Sequence, residues 1–101
     1  MESGLMMTIE QLRNQIKSID DGFEVEEIKE THVEFTKMFI AYQKNAGDIE
    51  IKLGGEVFMT LTNQYENPSI IIDGAIIENQ VISGMQKVLG VVSNFFEEWG
   101  K

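Results

Sequence analysis

The apolar residues of this chain fall into changing rhythms, and each rhythm predicts an element. Near the start, Ile9, Leu12, Ile16 and Ile19 recur at spacings of three, four and three, which puts them on one face of a helix. Thr8 precedes them as an N-cap, and Gln11 three positions on completes a capping box that satisfies two otherwise orphaned backbone amides. Met7 and Leu12 stand at the two positions of a hydrophobic staple. Asp20-Asp21-Gly22 is expected to stop the helix, with Gly22 in the left-handed conformation.

Further along, the rhythm changes to strict alternation. Ile49, Ile51 and Leu53 alternate with Asp48, Glu50 and Lys52, and Gly54-Gly55 follows. Beyond it Val57, Met59 and Leu61 alternate with Glu56, Thr60 and Thr62. Period-two patterning on both sides of a Gly-Gly predicts a β-hairpin with its apolar set turned to a core. Phe23 and Val25 begin an earlier strand, and Ile70 to Ile72 form a later one after the Asn67-Pro68 break. Thr31 to Lys44 supports two readings. Val33 and Phe35 alternate with His32 and Glu34 as in a strand, whereas Phe35, Phe39 and Tyr42 also fit a helical face. The abundance of Val, Phe, Thr, Ile and Tyr favours strand.

A long helix is expected to close the chain, from Ala75 to Trp99. Val81, Met85, Val88, Val92, Phe95 and Trp99 step by fours and threes, and Ile82, Leu89 and Phe96 flank them at sevens. Asp73-Gly74 offers a different start, with Asn79 as the cap. A helix of that full length would span about 37 Å. A domain of this size has a radius of gyration of only about 13 Å. Most helix stripes are core, and that is the leading reading of Phe95, Phe96 and Trp99; the alternative is that the last turn overhangs the sheet as an exposed apolar patch. The fold expected from these elements is α+β: a two-layer sandwich with a mostly antiparallel sheet of four to five strands, carrying the N-terminal and C-terminal helices on one face. Residues 1–7 read as a disordered lead and 8–101 as a single domain.

Composition narrows the chemistry. With 43% apolar residues and nine aromatics per hundred, the chain has material for a core. It contains no cysteine, which removes disulfides, thiolate metal sites and thiol nucleophiles, and fits a reducing, cytoplasmic setting. No apolar run approaches the ~18 residues of a membrane span, and the first residues lack the basic and apolar regions of a signal peptide. The single His32 has no second histidine for a metal site. Ser69 and Ser83 lie in no nucleophile-elbow context. Leu53-Gly54-Gly55-Glu56 lacks the Lys and Ser/Thr of a phosphate loop. No catalytic residue, metal ligand or cofactor site is assigned, and the expected class is non-enzymatic.

Charge is the most uneven feature of the sequence. The net charge is −9, and Asp20, Asp21, Glu24, Glu26, Glu27, Glu30 and Glu34 crowd into fifteen positions with Lys29 as the one base. Six of the nine net charges therefore lie in that segment. Its spacing does not match a calcium-binding loop. The bland reading is a solvated strand face whose like charges discourage aggregation; the functional one is a docking patch for a basic protein or a nucleic-acid-binding protein. Small acidic proteins of this build include phage and mobile-element inhibitors, which occupy nucleic-acid-binding clefts, and the leading expectation is an interaction protein of that kind. The alternative is a structural or chaperone-like homodimer formed through Val88, Val92, Phe95, Phe96 and Trp99. The scattered bases and acidic balance predict no direct binding to DNA or RNA at physiological salt. A mobility-shift titration is expected to show free nucleic acid throughout.

Overall fold

The computed structural model describes residues 7–35, 39, 41–72 and 79–99. Helix α1 runs Ile9–Ile19 and opens as its sequence predicts: Gln11 N–H donates to Thr8 Oγ1 at 3.1 Å, and Thr8 N–H donates to Gln11 Oε1 at 2.8 Å. Met7, expected in the lead, packs against the core, as a staple residue should. The helix ends differently from expectation. Asp20 takes an extended conformation, its Oδ1 accepts the Gly22 N–H at 2.7 Å, and its carbonyl accepts the Phe23 N–H at 3.1 Å. An aspartate side chain thus turns the backbone, and Gly22 is not left-handed.

Six strands follow among the described residues: β1 (Phe23–Glu27), β2 (His32–Phe35), β3 (Ala41–Lys44), β4 (Ile49–Leu53), β5 (Glu56–Thr62) and β6 (Ser69–Ile71). Four of them form an antiparallel sheet in the order β1-β4-β5-β6. The turn between β4 and β5 is the expected Gly54-Gly55, with φ of 64° and 84°, two positive values that only glycine adopts cheaply. A bulge interrupts this hairpin. Ile51 pairs with Met59 but Lys52 pairs with Val57, so Val57 leaves the apolar register of Met59 and Leu61. Val57 is accordingly not among the residues packed on the core.

Helix α2 occupies Asn79–Phe96, and the expected first turn at Ala75 lies outside the described residues. The helix stops three residues before Trp99. Glu97 N–H closes a tighter bond to the Asn94 carbonyl, and Trp99 N–H reaches the Phe95 carbonyl. This turn folds the indole back to 5.2 Å from the Phe95 ring, and stacks it on Phe96 at 5.7 Å and 13°. The helix end is core, as the leading reading has it, and the alternative overhang is not formed: Phe95 is 2% exposed, and Phe96 and Trp99 are half-buried against the core. That core joins Leu12 and Ile16 of α1, Val88, Val92 and Phe95 of α2, and Phe23, Val25, Ile49, Ile51, Met59 and Leu61 from one face of the sheet. Both helices thus lie on one face of an antiparallel sheet, an α+β fold as the patterning requires.

The sequence does not foreshadow what happens on the other face. β2 and β3 pair with each other as a separate antiparallel hairpin between β1 and β4. This settles residues 32–35 and 41–44 as strand. The foot of the hairpin is tied by Ala46 N–H to Thr31 Oγ1, and by Ile28 to Gly47 and Asp48 through backbone bonds. There Lys44 is 1% exposed, and its Nζ donates to Glu50 Oε2 at 2.6 Å and Thr60 Oγ1 at 2.9 Å. Glu50, Thr60 and Thr62 are buried in turn, although alternation along β4 and β5 assigns them to solvent. Removing one partner of a buried ion pair leaves the other charge uncompensated. Lys44→Ala is expected to cost about 3–5 kcal/mol in urea denaturation. The double replacement Lys44→Met with Glu50→Leu is expected to recover most of that loss.

Candidate functional site

The acidic segment begins at the end of α1 and runs along β1. The exposed and buried residues of β1 alternate as patterned: Phe23 and Val25 enter the core, while Glu24 and Glu26 stand out on the opposite face. Asp20 and Asp21 sit in the turn before the strand, and Glu27 and Glu30 follow it, Glu27 half-buried and Glu30 exposed. At ~3.3 Å per extended residue, Asp20 to Glu27 covers at most about 23 Å. Five carboxylates over that length make one per about 5 Å, against one phosphate per ~3.4 Å along a DNA strand. The segment is a strip and not a compact patch.

Glu34 does not join Glu24 and Glu26 across a ladder. β1 pairs with β4, whose central position in the sheet takes the place that an immediately returning strand would occupy. Glu24 therefore faces Lys52, and Glu26 faces Glu50. Two carboxylates directly opposite repel, and two lysines answer them. Lys52 Nζ lies 2.6 Å from Glu26 Oε1, while Lys44 holds Glu50. The hydrogen bond to Glu26 is the main reason the Lys52 ammonium is held above its ordinary pKa. Lys29 pairs loosely with Glu27 at 3.4 Å. Asp21, Glu24 and Glu30 have no ion pair among the described residues.

Where the strip meets the hairpin foot, an open groove of about 350 Å³ forms between Glu26, Glu27, Ile28, Lys29, Glu30, His32, Glu50 and Lys52. It gathers three of the seven acidic residues of the segment, and Glu50 besides. His32 is locked in place at its rim: Nδ1 lies 2.8 Å from the Glu30 carbonyl, and Nε2 lies 2.8 Å from Glu34 Oε1. These two bonds, the backbone one first, raise the His32 pKa above 6.5. No set of three His, Asp or Glu side chains converges in a way that holds a metal among the described residues.

The cations along α1 have a different task. Lys17 Nζ donates to the Phe23 carbonyl and Arg13 Nε to the Val25 carbonyl, each at 3.1 Å. These carbonyls lie on β1, an edge strand of the sheet. Side chains from the helix thus occupy a strand edge that otherwise invites another strand to pair. Arg13 also bonds Glu10.

Of the residues assigned to self-association, Val88, Val92 and Phe95 lie in the core, and Phe96 and Trp99 pack against it. They hold α2 to the sheet. Sequence reasoning missed Lys44, Glu50 and Thr60, whose alternation reads as a wet face, and it missed Lys52 as the partner of Glu26. No local pattern marks them: the described apolar residues Val33, Phe35, Phe39 and Ala41 of that segment are exposed, and it is the charged Lys44 that reaches the sheet.

Compared with protein-family models, curated proteins and solved structures, the chain matches none.

The proton on His32 gives a direct check of the rim geometry. Its folded pKa exceeds the unfolded value, so its contribution to stability is complete below about pH 6.5. That contribution is lost as pH rises through the folded pKa. An NMR titration is expected to place His32 above the model-peptide value, and Glu34→Gln to move it back down.

Proposed function

We propose that this chain is a non-catalytic binding module that docks on a basic surface of another protein through the strip from Asp20 to Glu30, with Glu34 at its margin. The observation that carries this reading is the outward, contiguous placement of Glu24 and Glu26 on β1, leading into the groove at Glu27 and Glu30. The surface that suits such a strip is a groove shaped for a polyanion, so the partner is a nucleic-acid-binding protein and the module acts as its inhibitor. Support comes from Asp20, Asp21, Glu24 and Glu30, which carry no ion pair among the described residues. Lys44 and Lys52 are held by Glu50 and Glu26, Arg13 and Lys17 bond backbone carbonyls of β1, and none of the four forms an ion pair with Asp21, Glu24 or Glu30.

The non-catalytic part of the reading rests on His32 and the serines. Both nitrogens of His32 are engaged by Glu30 and Glu34, while Ser18 and Ser69 donate their hydroxyls to local backbone carbonyls. No described hydroxyl is bonded to the imidazole.

Charge complementarity of this type acts mainly on the association rate and is weakened by salt. The test begins with a purified basic partner recovered with this chain as bait. Binding kinetics are then compared between the wild type and the triple variant Glu24→Lys, Glu26→Lys, Glu27→Lys. The on-rate of the variant is expected to fall by about tenfold or more at low salt, and to lose its salt dependence. A folded triple variant that associates at the wild-type rate in low salt makes the strip a solvated face.

A further inference from the structure

The hairpin of β2 and β3 is built with its polarity reversed. The register pairs His32 with Lys44, Val33 with Gln43, Glu34 with Tyr42 and Phe35 with Ala41. Since residues alternate between faces, His32, Glu34 and Lys44 share the face from which Lys44 reaches down to the sheet. Val33, Phe35, Ala41 and Gln43 share the other, and all four are exposed. Val33 is 57% exposed and Phe35 68%, while Phe39, in the connection between the strands, is 86% exposed with a φ of 60°. Isolated exposed apolar residues are ordinary, but two large ones side by side on one strand face, with a third at the turn, form a patch.

We propose that this outer face of the hairpin receives apolar side chains from a segment of a basic protein. The inference rests on the reading of the chain as an acidic docking module and adds the second half of its recognition: charge along β1 steers the partner, and Val33, Phe35 and Phe39 hold it. Two observations choose a basic protein over a second copy of this chain. Each copy of the chain carries a net charge of −9, so two copies meeting here repel one another. The three side chains also offer only roughly 400 Å² of surface, taking about 200 Å² for each whole phenylalanine, against the ~800 Å² per partner of a stable interface. The remaining attraction must come from charge, and only a partner of opposite sign supplies it.

The experiment uses the whole chain, isotope-labelled for NMR, and two synthetic probe peptides of equal length and charge. One alternates lysine with leucine and the other alternates lysine with serine. The lysine–leucine peptide is expected to bind at least about tenfold more tightly, with the largest amide shifts at Val33, Phe35, Ala41 and Gln43. The variant Val33→Thr with Phe35→Thr places a residue of good strand propensity at both exposed positions, and its fold is checked by circular dichroism. It is expected to bind both peptides with the weaker affinity. Equal binding of the two peptides by the wild type overturns the hairpin inference and leaves the acidic-strip reading standing; failure of both to bind removes both. Tight lysine–leucine binding whose shifts lie away from the hairpin overturns the inference as well. So does a sedimenting dimer of the wild type that the threonine variant abolishes, because the face is then covered by a second copy.

Discussion

A lysine ammonium buried between a carboxylate and a hydroxyl, at 2.6 and 2.9 Å, holds the second face of this sheet closed. Desolvating two charges is costly, and their mutual attraction offsets that cost only when the geometry is good and further hydrogen bonds help. Thr60 supplies one such bond. The net gain in stability over an apolar pair is small, but the pair fixes where the hairpin foot sits, since any other placement strands Glu50 under cover without a cation. That placement in turn decides which residues of β2 are turned outward. Val33 and Phe35 stand on the hairpin face opposite the one that carries Lys44.

Charges on this side of the molecule form an ordered row. In Lys52, Glu26, Glu50 and Lys44 the lysines stand at the two ends and pair with the two carboxylates that the β1–β4 register forces together. The acids of the segment without an ion pair among the described residues flank β1, at Asp20 and Asp21 before it and Glu30 after it, with Glu24 on the strand between them. The fold thus consumes its nearby cations internally and leaves the negative strip outward. A net charge of −9 alone does not reveal this arrangement.

Local signals in the sequence were legible wherever one short stretch determines the outcome. Thr8 and Gln11 form the capping box, Gly54 and Gly55 form the turn, and the helical spacing of Val88, Val92 and Phe95 marks a core face. Decisions made by distant residues were not legible. Alternation cannot distinguish a face open to water from one covered by a hairpin formed elsewhere, so Glu50 and Thr60 read as exposed. A bulge adds one residue without a sequence mark, which is why Val57 read as part of the core. Asp20 displaced Gly22 as the helix stop because a carboxylate can make the turn that a left-handed glycine otherwise makes. The acidic segment was visible by count, yet its shape depended on β1 pairing with β4 instead of β2.

The stacking of Trp99 on Phe96 has a spectroscopic consequence. It is the chain's single tryptophan, and it packs on the helical side of the sheet, with Phe95 as its other aromatic neighbour. Its emission therefore monitors the docking of α2 and is silent to events on the far side. A hairpin that lifts from Glu50, or accepts a ligand on Phe35, leaves the indole in the same surroundings. An unfolding curve followed by fluorescence reports one layer of this molecule, and the other layer needs a probe of its own.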